Sequence, residues 1–298
     1  MMVVKEGDVI AVWFSCGAAS AVAAKKTIEK YRSIATIRVI NNPVVEEHVD
    51  NQRFLKDVQA WLGITIETAT NRNYPSCSAV DVWRQRKFMS GPDGAPCTIE
   101  LKKMARRQWE EENHCDWHVL GFTVDEKNRS DNFIRGERSN LLPILIDEGI
   151  SKTDCFDILR GAGIDLPEIY KLGYPNANCI GCVKATSATY WNHVRKVHPV
   201  VFIERKEQSD DIGAKLVRCH PKYLSFCAKR SCGEWYDERT GECLHKTDPK
   251  TGKRKLVVPR IYLSELPEEA KGRPMKGLLV ECGIFCEERP DLKVEDML

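Results

Sequence analysis

Near its start the chain carries an unbroken apolar run, Val9-Ile10-Ala11-Val12-Trp13-Phe14, with no polar position to mark a wet face. Such a run predicts a strand buried on both sides. It gives way to a turn of small residues, Ser15-Cys16-Gly17-Ala18-Ala19-Ser20, and residues 21–31, rich in Ala and Lys, predict a helix. Residues 34–40 predict a β-branched strand that stops at Asn41-Asn42-Pro43. Over 46–62, Val49, Phe54, Leu55, Val58 and Leu62 recur at helical spacing, and 64–68 reads as a short strand. Helices are expected over 77–88, 98–113 and 152–161, a strand over 117–122, and a short apolar segment at 141–146. This alternation predicts an α/β fold, a parallel sheet with right-handed crossovers and helices on both faces. After about Val200 the pattern lapses into polar, cysteine-rich sequence without helical periodicity. The expected organisation is one α/β domain over 1–199 and a cysteine-rich C-terminal extension over 200–298.

The turn at Ser15–Ser20 suggests chemistry. A strand that ends in small residues and enters a helix presents backbone N–H groups, and the positive end of the helix dipole, to an anion. Ser15 and Ser20 offer hydroxyl donors, and Gly17 permits close backbone approach. The same pattern also arises where small residues simply serve packing.

Composition narrows the setting. The chain has 298 residues, 42% hydrophobic and 30% charged, the balance of a globular protein. No apolar run reaches the ~18 residues of a membrane span. Met1-Met2-Val3-Val4-Lys5-Glu6-Gly7-Asp8 carries acids ahead of a strand-length run, which is not a signal-peptide pattern. The expected compartment is the cytoplasm, where thiols stay reduced, so the 13 cysteines point to metal ligation or redox chemistry rather than disulfides. Cys155 reads as a buried small hydrophobe. A net charge of +2 does not announce a nucleic-acid binder. The stretch 246–260, with Lys246, Lys250, Lys253, Arg254, Lys255 and Arg260 against Asp248, could touch a polyanion, but it also reads as a solvated hairpin tip.

Cys179-Ile180-Gly181-Cys182 lets two sulfurs reach one metal centre from a single turn, and Cys97, at the start of a predicted helix, could supply a third. An iron–sulfur cluster, zinc and plain packing of Cys97 are the alternatives. In the tail, Cys227, Cys232, Cys243 and His245 could form a tetrahedral zinc site or be scattered thiols beside an exposed His. Cys282 and Cys286 form a C-x-x-x-C pair, either a nucleophile with a resolving neighbour or packed residues of a terminal strand.

Four segments, in order over about residues 9–286, resemble the adenine-nucleotide α-hydrolase (PP-loop) superfamily, and within it the adenylyl-sulfate and phosphoadenylyl-sulfate reductases. They are Ser15-Cys16-Gly17-Ala18-Ala19-Ser20, Pro96-Cys97-Thr98-Ile99-Glu100-Leu101-Lys102, the segment from Pro167-Glu168-Ile169-Tyr170 to Cys182, and Glu281-Cys282-Gly283. The resemblance implies an adenine-nucleotide α-hydrolase-like fold. It implies a nucleotide site from Ser15, Cys16, Gly17, Ser20, Asn41, Gly121 and Arg129. It also implies a [4Fe-4S] cluster on Cys97, Cys179 and Cys182, with Cys286 a candidate fourth ligand, and Cys282 as nucleophile. The implied partners are a sulfonucleotide and a thioredoxin-like thiol donor. A second function within the same superfamily is cluster-dependent sulfur transfer to tRNA or another nucleic acid, and a third is a non-catalytic adaptor. Ala19 stands where ATP-cleaving members carry Asp, Pro96 where the reductases have a further Cys, and no Arg pair follows Gly121.

Overall fold

The computed structural model describes residues 3–91 and 94–275. These fall into two units: residues 3–85 with 96–179, and residues 86–91, 94 and 95 with 180–275. Pro199, where the sequence places the boundary, opens a helix inside the second unit.

The first unit is built on a parallel five-stranded sheet ordered β3-β2-β1-β4-β5. Its strands are β1 (Val9–Phe14), β2 (Thr36–Asn41), β3 (Ile66–Thr68), β4 (Trp117–Val119) and β5 (Leu141–Leu142). The helices are α1 (Ala18–Tyr31), α2 (Asn51–Leu62) and α3 (Ala79–Arg86). Next, α4 (Pro96–Thr98), a π-helical stretch (Ile99–Met104) and α5 (Ala105–Glu112) follow one another without a break. After them come α6 (Lys127–Gly136), α7 (Ile144–Asp147), α8 (Lys152–Gly161) and α9 (Glu168–Lys171).

β1 is central, and alternate residues serve opposite faces. Ile10, Val12 and Phe14 pack with Ala21 and Val22 of α1, Phe54 and Val58 of α2, and Leu159 of α8. Ala11 and Trp13 pack with Ile40, Ala69 and Trp109 of α5. This period-two division explains why the strand has no polar position. Burying Phe14 and Phe54 contributes roughly 1.5–3 kcal/mol each. Helix ends follow local chemistry. α2 stops at Gly63, whose φ of 67° lets its N–H reach the Gln59 and Ala60 carbonyls. α8 starts in a capping box between Ser151 and Asp154.

The second unit contains α10 (Ala188–Val197), α11 (Pro199–Ile212) and three antiparallel strand pairs. β6 (Val217–Arg218) pairs with β11 (Arg260–Ile261), β7 (Cys227–Lys229) with β8 (Trp235–Asp237), and β9 (His245–Thr247) with β10 (Arg254–Leu256). Fully buried Trp191 donates its indole N–H to the Ala185 carbonyl at 2.6 Å. The expected loss of helical structure after Val200 is corrected by α11. Its buried positions are Phe202, Arg205 and Ser209, so the inward stripe is mostly polar and shows no apolar period.

Candidate functional site

β1 lies where the connections change direction. The chain passes from β1 to β2 on one side, and β4 lies on the other. Crevices outside the carboxyl ends of the strands at such a point are where open α/β sheets bind ligands. The turn after β1 occupies this place. Cys16 adopts φ +54°, a left-handed conformation unusual for a residue with a Cβ, and Gly17 precedes α1 with extended backbone. Among the described residues, the backbone N–H groups of Cys16, Gly17, Ala19 and Ser20 have no protein acceptor, while Ala21 N–H already bonds the Gly17 carbonyl. No acid lies in the first turn of α1. Orphaned N–H groups and an uncompensated helix dipole together favour an anion.

The hydroxyls do other work. Ser20 is buried and gives its single proton to the Gly17 carbonyl at 2.9 Å. Its oxygen accepts from Ser15 N–H at 3.1 Å and from the Ser15 hydroxyl at 3.2 Å. Ser20 therefore ties the turn together, and the donors left without a partner among the described residues are backbone groups. Asn41 ends β2 and donates to the Phe14 carbonyl at 2.9 Å and towards the Cys16 sulfur at 3.5 Å. Burial pushes the Cys16 thiol up to about 12, so it stays neutral beneath the turn.

Gly121 matters for the space it leaves. A Cβ there would stand 2.7 Å from Ser20 N and 2.9 Å from Ala19 C, so the chain just after β4 lies directly against the first turn of α1. Arg129 is ion-paired with Glu126 at 2.6 Å and stacks over the Phe122 ring. Two groups near the turn, Lys102 and Tyr170, stand in segments that carry the resemblance but were not among the expected site residues. Lys102, in the π-helical stretch, donates to the Asn42 carbonyl and to Glu47 at 3.0 Å each, and the charges of both Glu47 and Lys102 bear on Cys16. Tyr170 of α9 places its hydroxyl 3.3 Å from Ala18 N. These two residues are 152 positions apart, so no local pattern points to their contact, and only the tertiary fold brings them together.

The cysteines are distributed as follows. Cys97 lies at the start of α4 and Cys179 is buried, both in the first unit, while Cys182 is buried in the second. Cys182 N–H donates to the Tyr190 hydroxyl at 2.9 Å. Gly181 has φ +66°, and a Cβ there would press on Arg205 and Val201 at 3.1 Å. Among the described residues, no three His, Cys, Asp or Glu side chains are grouped to hold a metal ion. In the tail, Cys243 faces Glu234 at 3.3 Å and Arg254 at 3.4 Å, His245 Nδ1 accepts from Trp235 N–H at 3.2 Å, Cys227 lies in β7 and Cys232 is exposed. Cys282 and Cys286 lie outside the described residues. Cys155 is fully buried, in the core under α1.

The basic stretch is a hairpin of β9 and β10, and acids hold several of its cations. Lys246 pairs with Glu242, Lys255 with Asp248 and Arg254 with Glu234, at 2.9, 2.9 and 2.6 Å. Among the described residues no helix is long and apolar enough to cross a membrane.

No family model and no curated protein matches the chain. Among solved structures it is similar to the phosphoadenylyl-sulfate reductase of Candida auris in its phosphate complex. That match has 10% identity and a TM-score of 0.42, and covers 57% of this chain and 80% of the other. It is also similar to the U34-tRNA thiolase of Methanococcus maripaludis with its [4Fe-4S] cluster. Here identity is 13% and the TM-score 0.43, with 70% of this chain and 74% of the other covered.

Proposed function

We propose that the chain is a sulfonucleotide reductase-like enzyme whose β1–α1 turn binds the anionic end of an adenylyl nucleotide. The observation that carries this reading is the set of unpartnered N–H groups of Cys16, Gly17, Ala19 and Ser20 at the point where the sheet changes direction. The ordered motifs around Cys97, Cys182 and Cys282 support the sulfur chemistry.

In this reading the Cys282 thiolate attacks the sulfur of adenylyl sulfate or its 3′-phosphorylated form. The S–O bond to the nucleotide phosphate breaks, and the nucleotide leaves with that electron pair. A dithiol carrier then attacks the Cys282 sulfur, sulfite departs, and the carrier closes to a disulfide. Two electrons pass from the carrier to sulfur. Sulfite release with reduced thioredoxin is therefore expected in the wild type and lost in Cys282→Ser. If neither sulfonucleotide is turned over while a tRNA pool gains sulfur, the nucleic-acid sulfurtransferase reading replaces this one.

The soft thiols of Cys179 and Cys182 suit an iron–sulfur centre in donor chemistry, with Cys97 as a third ligand. The described residues do not assemble its full ligand set, and no step above is routed through it. Anaerobically purified protein is expected to carry iron and sulfide, both lost in a Cys179→Ala, Cys182→Ala double variant. Full iron content in that variant would exclude the assignment.

A further inference from the structure

The phosphate turn has a side-chain neighbour from a remote element. The Tyr170 phenol oxygen accepts the Ala18 N–H at 3.3 Å, and the Ala177 N–H also bears on it. Its ring is fixed by Phe156, at 5.1 Å between centroids, and by the Lys152 ammonium 5.8 Å over its face. Lys152 is itself anchored on the Pro175 carbonyl and Asn176.

A phenol has one proton to donate and two lone pairs. The Ala18 N–H engages one lone pair, so the proton points away from that donor. Room on another side is left by Gly17, where a Cβ would stand 3.4 Å from the phenol oxygen. Burial pushes Tyr170 up to about 12 against the pull of the Ala18 and Ala177 N–H groups, so the phenol keeps its proton at neutral pH.

We propose that Tyr170 is a direct ligand of the bound anion, its O–H donating to a phosphoryl or sulfuryl oxygen held by the backbone N–H groups of the turn. This rests on the reading of the turn as a phosphate site. It makes the turn a composite site, closed by a residue from α9, and it selects for an oxygen acceptor at that position.

Tyr170→Phe keeps the ring on Phe156 and removes only the hydroxyl. Calorimetric titration of the full chain with AMP and with inorganic phosphate is expected to show binding weakened roughly ten- to a hundredfold in the variant, the range for a hydrogen bond to a charged group. Unchanged or tighter binding overturns the proposal. The phenol would then only stand in for an anion oxygen, and its removal would free Ala18 N–H. A wild type that binds neither ligand overturns the phosphate reading itself, and the role of Tyr170 with it. If the variant is poorly folded, the wild type labelled with carbon-13 at the tyrosine ζ position decides the matter. The Tyr170 signal should shift on adding AMP, and an unmoved signal at saturation overturns the proposal.

Discussion

Gly121→Ala is expected to destabilise the first unit by about 3 kcal/mol and to abolish nucleotide binding. The added Cβ would lie 2.7 Å from Ser20 N and 2.9 Å from Ser20 Cα and Ala19 C. These are backbone atoms of the first turn of α1, so no side-chain rotation relieves the clash. Either the segment that follows β4 or α1 must move, and β4 and α1 are both packed into the unit on which the turn is built. The melting temperature should fall by roughly 5–10 °C. A variant with wild-type melting and wild-type affinity would show that the segment after β4 and α1 do not meet as described.

Gly17→Val is expected to lose binding without the loss of stability, with affinity for AMP lowered more than about a hundredfold, since the loss is of several charge-assisted hydrogen bonds at once. Gly17 has φ −105°, which any residue adopts, so backbone strain is not the issue. A Cβ would make ordinary contact with the Tyr170 hydroxyl at 3.4 Å and the Ser15 hydroxyl at 3.7 Å. The branched methyls would reach beyond these atoms into the space in front of the N–H groups. Replacing Gly at a helix N-cap by an apolar residue costs only about 1 kcal/mol. Thermal melts and calorimetry on the two glycine variants therefore separate a packing role from a ligand-approach role.

The parts of the fold that could be read from sequence are those whose burial follows a single period. β1 is apolar throughout because both its faces are covered. The helix at 152–161 has the predicted start because Ser151 and Asp154 cap it locally. α11 could not be read because its buried stripe contains Arg205 and Ser209. The predicted helix over 98–113 is there, but nothing in its pattern marks the π-helical stretch that carries Lys102. The β1–α1 turn was legible as a run of small residues. The inward use of the Ser20 hydroxyl was not, since it depends on the Gly17 carbonyl turning to meet it. Tyr170 reaches the turn through tertiary packing alone.

The central claim is that the backbone of the β1–α1 turn binds an adenylyl nucleotide. Its most direct test is an AMP titration followed by amide resonances in isotope-labelled protein. The account predicts that the Cys16, Gly17, Ala19 and Ser20 amides shift together, saturate with a single Kd, and shift in the same direction with inorganic phosphate. If AMP binds while those four amides stay fixed, or if it does not bind at all, the account is contradicted.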